Sequence, residues 1–246
     1  MNVLGIDIGG TGIKGSLINI KTGELTGDHL RIQTPPSLKP EPVLDVIEEI
    51  VDHYKWEGLL GCGYPGVIIQ NVINTATNLD PSWIGINLAE KIKEKTNNTS
   101  WIINDADAAG IAEMHFGAGR NIKGVVIVLT VGTGIGSAFF ADGQLFPNTE
   151  MGLIIMNKNF AERSISSVAR ERENLTWEDW AKRFNHYLQY LNNLFSPDLF
   201  IIGGGGAIEP NNYVPYLTID TPLVPAEHRN NAGMIGAAMA ALNQQI

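Results

Sequence analysis

Two places in this chain hold residues whose types and spacing suit phosphate chemistry. The first is Asp7, which lies in the apolar run Val3 to Ile8 and is followed by Gly9-Gly10-Thr11-Gly12 and then by Lys14. Glycines let a backbone turn sharply and come close to a ligand, so the amides of such a turn can face an anion. Thr11 adds a hydroxyl, Lys14 a cation, and Asp7 a carboxylate suited to a hydrated metal ion. The spacing matches neither the dinucleotide fingerprint nor the P-loop, and an ordinary glycine hairpin is the competing reading. The second place is Asn104-Asp105-Ala106-Asp107, directly after the apolar Trp101 to Ile103. A strand end that feeds a helix is where open α/β sheets bind ligands, and there Asp105 can act as a general base towards a hydroxyl. Alternatively both aspartates are helix caps, with Asp107 the better placed.

Three further features are weaker. Glu150, in Phe146-Pro-Asn-Thr-Glu150-Met-Gly152, either holds a polar substrate or is a solvated turn residue. Gly203 to Gly206 follow the apolar Leu199 to Ile202 and permit close approach of a flat or phosphorylated ligand. Arg163, Arg170 and Arg172 form either a solvated helix face or an anion track.

The elements that must position these residues show a duplication. Val131-Gly-Thr-Gly-Ile-Gly-Ser137 repeats Gly10-Thr-Gly-Ile-Lys-Gly-Ser16, with Lys14 unmatched. Each copy follows an apolar run (Val3 to Ile8, Val125 to Val131) and leads into a second strand (Ser16 to Ile20, Ala138 to Ala141). Two like hairpins imply two related α/β lobes that offer glycine-rich turns to one cleft. Between them the pattern gives a further strand within Leu25 to Thr34, a proline-stiffened connection, and a helix through Val43 to Tyr54. Next come a strand at Leu59 to Gly63, a hairpin over Val67 to Thr75, and a helix Leu88 to Lys95 capped by Asn87. In the second half Thr176 opens a long amphipathic helix, Trp177 to Leu194, whose stripe is core or a dimer face. Tyr213 to Val224 reads as two short strands, and a helix of small residues, Met234 to Asn243, follows.

Composition bounds the function. The chain has 246 residues, 44% hydrophobic and 17% charged, enough for one large or two modest lobes. A formal net charge of -9 argues against general nucleic-acid binding. Cys62 is the only cysteine, so no internal disulfide and no zinc cluster is expected, and a reducing cytoplasmic setting fits. No apolar run reaches membrane-spanning length.

Ile6 to Gly15, Asn104-Asp105, Leu129 to Gly136, Asn148 to Gly152 and Ile201 to Gly206 together resemble the ROK family of sugar kinases, over essentially the whole chain. Asn78 to Gly85, Leu175 to Trp180 and Thr221 to Gly233 are most similar to its polyphosphate glucokinase branch. The resemblance implies an α/β, actin-like (ribonuclease-H-like) fold of two lobes with an interlobe cleft. One lobe would be 1–115 completed by a helix at 232–246, the other 116–231. It implies a sugar kinase that moves phosphate from polyphosphate or ATP to the primary hydroxyl of glucose or a related hexose. Asp105 would be the base, and Gly66, Asn78, Asn104, Glu150 and Glu162 would bind sugar. Gly10, Thr11, Gly12, Lys14, Thr133, Gly134, Gly204 and Gly205 would meet the donor, and Asp7 would position Mg²⁺ through water. The zinc motif common in the family is missing, so no zinc is expected. A soluble cytoplasmic homodimer without nucleic-acid or membrane partners is the expected context. The family's repressors place a helix-turn-helix ahead of the first loop, whereas six residues precede Asp7 here. Leu153 stands where the family has a sugar-binding histidine, so the alternative is a sugar-binding ROK protein with weak or no catalysis.

Overall fold

Val3 to Ile8 is a nearly unbroken apolar run, and such a strand is stable only with both faces covered. With Asn2 it forms β1 (Asn2–Ile8), which pairs antiparallel with β2 (Ile13–Asn19), itself followed by the three-residue β3 (Leu30–Ile32). The computed structural model describes residues 1–205 and 209–243; residues 206–208, Gly206 among them, and 244–246 lie outside the described residues. Helix α1 (Pro40–His53) starts with proline at its first turn, where a missing N–H costs nothing, and buries Val43, Leu44, Val46, Ile47, Ile50 and Val51. Strand β4 (Leu60–Tyr64) runs parallel to β1, and the small hairpin of β5 (Ile68–Ile69) and β6 (Val72–Ile73) follows. The Asn87 side chain caps α2 (Leu88–Thr96) by accepting the Glu90 N–H. Strand β7 (Ser100–Asn104) completes a sheet of order β3-β2-β1-β4-β7 and leads directly into α3 (Asp105–Phe116).

The second half repeats that order. Strands β8 (Val125–Val131), β9 (Ile135–Ala141) and β10 (Gln144–Phe146) form the antiparallel part. A two-stranded ribbon, β11 (Ile155–Met156) with β12 (Asn159–Phe160), precedes the short helices α4 (Glu162–Ile165) and α5 (Ser167–Arg172). Thr176 accepts the Asp179 N–H at the start of α6 (Trp177–Phe195), whose Trp180, Phe184, Tyr187, Leu188 and Leu191 are buried. That stripe is therefore mainly core, with Leu194 left exposed at its end. Strand β13 (Leu199–Gly204) pairs parallel with β8 and with β14 (Leu223–Pro225), giving β10-β9-β8-β13-β14. Helix α7 (Ala232–Asn243) follows.

The chain divides into two compact units, Met1–Ala112 with Asn231–Ile246, and Glu113–Asn230. In the first, α7 lies directly on the sheet. A side chain at Gly5 would begin 2.1 Å from the Met234 carbonyl oxygen, and one at Gly61 1.9 Å from that of Ala237. Cys62 is buried in the same sheet, and burial, with the nearby Asp7 charge, pushes its thiol up, so it is inert. Among the described residues no helix is long and apolar enough to cross a membrane.

Three sequence expectations change. Within Leu25 to Thr34 only Leu30–Ile32 is a strand, with Leu25 making a single bridge to Ile18. Tyr213 to Val224 holds not two strands but a 3₁₀ turn, Val214–Tyr216, and the start of β14; Pro215 sets the turn's φ. Both second hairpin strands begin earlier than expected, at Ile13 and Ile135, so Lys14 belongs to a strand. The connecting turn has four residues (9–12) in the first copy and three (132–134) in the second, so the unmatched residue falls in the turn rather than at Lys14.

Candidate active site

In the first unit the parallel strands bring the Asp7 carboxylate and the backbone of Asp105 to one place. Asp7 pairs across the sheet with Gly63, and Gly63 with Ile103. Because residue 63 has no side chain, the Asp7 Oδ1 and the Asp105 Cα lie 3.7 and 3.8 Å from the point where one would begin. Asp105 is the first residue of α3, and its Oδ1 accepts the Ala106 N–H at 2.8 Å. Neither aspartate is the α3 cap. Asn104 fills that role: its Oδ1 accepts the Asp107 N–H at 2.9 Å, and its Nδ2 donates to the Gly66 carbonyl at 3.1 Å. Asn104 is 4% exposed, so the asparagine holds the start of the helix against the loop after β4. The expected cap at Asp107 is thus replaced by a residue three positions earlier. Asn78 lies exposed in a bend.

The first glycine turn is closed by the Gly9 N–H, which donates to the Gly12 carbonyl at 3.1 Å. Thr34, buried, donates its hydroxyl to the Gly9 carbonyl at 2.5 Å. Gly10 and Thr11 at the tip are exposed. Lys14 stands opposite Asp7 in the β1–β2 ladder, and its Nζ lies 3.1 Å from the Asp7 Oδ2. The next strand adds Arg31 opposite Lys14. The Arg31 guanidinium covers Gly12 so closely that a side chain there would begin 2.8 Å from its Nε. Its Nη2 reaches the Thr11 carbonyl at 3.5 Å. A side chain at Gly233, near the start of α7, would begin 2.8 Å from the Asp7 carboxyl carbon.

The second unit builds its turn differently. The Gly132 N–H donates to the Gly134 carbonyl at 3.0 Å, and Thr133 is exposed at the tip. In the ladder Thr130 and Gly136 occupy the places that Asp7 and Lys14 hold in the first copy. Here the side chain lying over the turn is acidic: Glu162 Oε2 accepts the Ile135 N–H at 3.4 Å and would lie 2.7 Å from a side chain at Gly134. Glu150 lies within electrostatic reach of the same carboxylate. Burial first, and the Glu162 charge second, raise the Glu150 carboxyl above its ordinary 4.5. Buried Ser137 fixes the segment, accepting the Met151 N–H at 3.0 Å while its hydroxyl sits 2.7 Å from the Thr149 carbonyl. Leu153, two residues on from Met151, is 42% exposed. Gly204 has φ +70°, a left-handed conformation suited to glycine, and a side chain there would begin 2.6 Å from the Val131 carbonyl. Gly205 lies beside Ser167 and Val131.

The three arginines of 161–173 are engaged locally. Arg170 stacks on Trp177 at 4.1 Å, Arg172 pairs with Glu173 at 2.7 Å, and Arg163 lies over Phe160 at 5.7 Å. This favours the solvated-face reading over the anion track. Arg31, Thr34 and Ser137 were not singled out in the sequence. Only Ser137 carried a signal there, as part of the repeated Gly-Ser pair.

Paired sheets of one strand order, each led by a glycine-tipped hairpin and one carrying carboxylates at its strand ends, define an actin-like α/β phosphotransferase architecture. A sequence model of the ROK family matches residues 3–163, and the chain belongs to that family. It is 45% identical, over 97% of its length and 90% of the relative's, to polyphosphate glucokinase from Mycobacterium tuberculosis. The crystal structure of inorganic polyphosphate/ATP-glucomannokinase from Arthrobacter sp. strain KM superimposes with TM-score 0.94 at 41% identity, covering 99% of both chains. At 22% identity, a ROK family glucokinase from Streptomyces griseus, in complex with glucose and AMPPNP, shares the fold with TM-score 0.85, over 99% of this chain and 100% of that one.

Proposed function

We propose that this protein is a sugar kinase that transfers phosphate from polyphosphate or ATP to the primary hydroxyl of glucose or a related hexose. The observation that carries the reading is the approach of the Asp7 carboxylate and the Asp105 Cα to one point above Gly63, beside a glycine turn flanked by cations. Asp105 takes the proton of the sugar hydroxyl as that oxygen bonds to phosphorus and the bond to the leaving phosphate breaks. The products are a sugar phosphate and either ADP or a polyphosphate shorter by one unit.

Asn104 has one amide hydrogen left after its bond to Gly66, and that hydrogen serves a sugar hydroxyl. Gly66 and Asn78 line the sugar site, while Glu150 and Glu162, as carboxylates, accept hydroxyl hydrogen bonds. The amides of Gly10, Thr11 and Gly12, the Lys14 ammonium, and Thr133 with Gly134 meet the donor phosphates; Gly204 and Gly205 border the nucleotide when ATP is the donor. The residues fit Mg²⁺, which commonly takes one or two carboxylates and keeps its remaining positions for water and phosphate oxygens. Asp7, with its Oδ1 facing the space above Gly63, would hold it, and the ion would neutralise donor charge.

The test is Asp105→Asn. Sugar-dependent donor consumption should fall about 10²–10⁴-fold, the range for loss of a general base, with the melting temperature retained. Undiminished turnover would remove Asp105 from the role. A second reading, a sugar-binding protein with little catalysis, is favoured by the apolar, half-exposed Leu153. A panel of hexoses with ATP and with polyphosphate separates the two, since a binder shifts melting temperature with sugar but consumes no donor.

A further inference from the structure

The two glycine turns are alike in sequence and opposite in the charge that lies over them. A guanidinium covers Gly12, and a carboxylate covers Gly134. In the first copy Asp7, Lys14 and Arg31 stand in one row across β1, β2 and β3, because Asp7 pairs with Lys14 and Lys14 with Arg31 in the ladders. Lys14 is neutralised by Asp7 at 3.1 Å. Arg31 has no such partner: among the described residues none of the ion pairs involves it, and its polar contact is the long 3.5 Å approach to the Thr11 carbonyl. The glycine at 12 is what admits the guanidinium to the turn, since any side chain would begin within 3 Å of it.

We infer that Arg31 binds the phosphoryl donor at the first turn and favours inorganic polyphosphate over ATP. The inference deepens the kinase reading and rests on it for the identity of the anion. A planar guanidinium presents paired donors that match phosphate oxygens, which an ammonium does not. A chain of net charge -9 that takes a polyanion needs a local uncompensated cation, and Arg31 supplies one beside exposed turn amides. ATP draws part of its affinity from its nucleoside. A polyphosphate chain has only charge and hydrogen bonds to offer, so it depends more on each cation. The second turn, beneath Glu162, is the less favourable of the two for an extended run of phosphates.

The experiment compares the intact protein with Arg31→Gln and Arg31→Lys. Steady-state kinetics use a hexose with ATP or with polyphosphate of defined length, and calorimetry follows binding of inorganic tripolyphosphate without turnover. For Arg31→Gln, kcat/KM should fall at least tenfold with polyphosphate and less than threefold with ATP. Tripolyphosphate affinity should fall in parallel and become less sensitive to salt, since one charge–charge contact is lost. Arg31→Lys should recover part of the loss. Equal losses with both donors, or tripolyphosphate binding unchanged in Arg31→Gln, would overturn the inference. If the intact protein turns over neither donor yet binds tripolyphosphate in an Arg31-dependent way, the kinase reading fails and the anion site stands.

Discussion

Asn104 illustrates how one side chain serves both fold and site. Its carbonyl oxygen caps α3 and its amide ties the loop at Gly66, so replacing it would loosen the helix that begins with Asp105. Leu153 is the opposite case, a half-exposed apolar residue where a hydrogen-bonding one is expected. At 42% exposed, the position is not closed in by core packing. Leu153→His should therefore raise kcat/KM for glucose up to about tenfold, the equivalent of one hydrogen bond at the upper end of about 0.5–1.5 kcal/mol, in a donor-consumption assay. No gain would mean that the sugar lies away from this turn. At this scale the sequence exposed the residues with chemical character and concealed those whose role depends on partners. Asp7, Asp105 and Glu150 stand out because charge beside a strand end or a glycine is unusual. Arg31 does not, because its place beside Gly12 follows from a strand of three residues whose register nothing local specifies. The cap at Asn104 was hidden for a similar reason, since a carbonyl 38 residues away helps orient it.

Among the elements, the stretch between β10 and α4 holds only short pieces of regular structure and is tied down by hydrogen bonds. Ser137 anchors the turn that carries Glu150, and α4 carries Glu162, whose charge reaches it. A raised carboxyl value means that the folded state favours the protonated form. This contribution to stability is complete below the ordinary 4.5 and is lost as pH rises through the folded value. Glu162→Gln removes the second of the two causes, so the loss over that window should shrink. Melting temperatures of both proteins across a pH series would show it, and parallel curves would exclude the Glu162 charge as a cause. Sugar binding should have the inverse dependence, weakening as acid protonates Glu150, because an uncharged carboxyl is the poorer acceptor. The hairpins, the Asn87 and Thr176 caps and the stripe of α6 were all legible in sequence, since each is specified within a few residues. The 3₁₀ turn at Val214–Tyr216 was not: Tyr, Val and Leu favour strands, and Pro215 won locally.

For the molecule as a whole, the decisive packing is the seat of α7 on the first unit. A methyl group at Gly236 would begin 1.6 Å from the Ala108 carbonyl oxygen, so Gly236→Ala must push α7 away from α3. The expected cost is about 3 kcal/mol, at the upper end for overpacking, read from denaturant midpoints. A change below about 0.5 kcal/mol, the level of a neutral surface substitution, would show that the helix is not held there. The same arrangement orders events during synthesis. The ribosome makes β1 well before α7, so the first unit's sheet emerges without that helix and waits for the whole of Glu113–Asn230 before its cover arrives. Glu113–Asn230, contiguous in the chain, can finish first. The half translated first is then the half completed last, and a nascent chain stalled before residue 232 should remain protease-sensitive in its amino-terminal part.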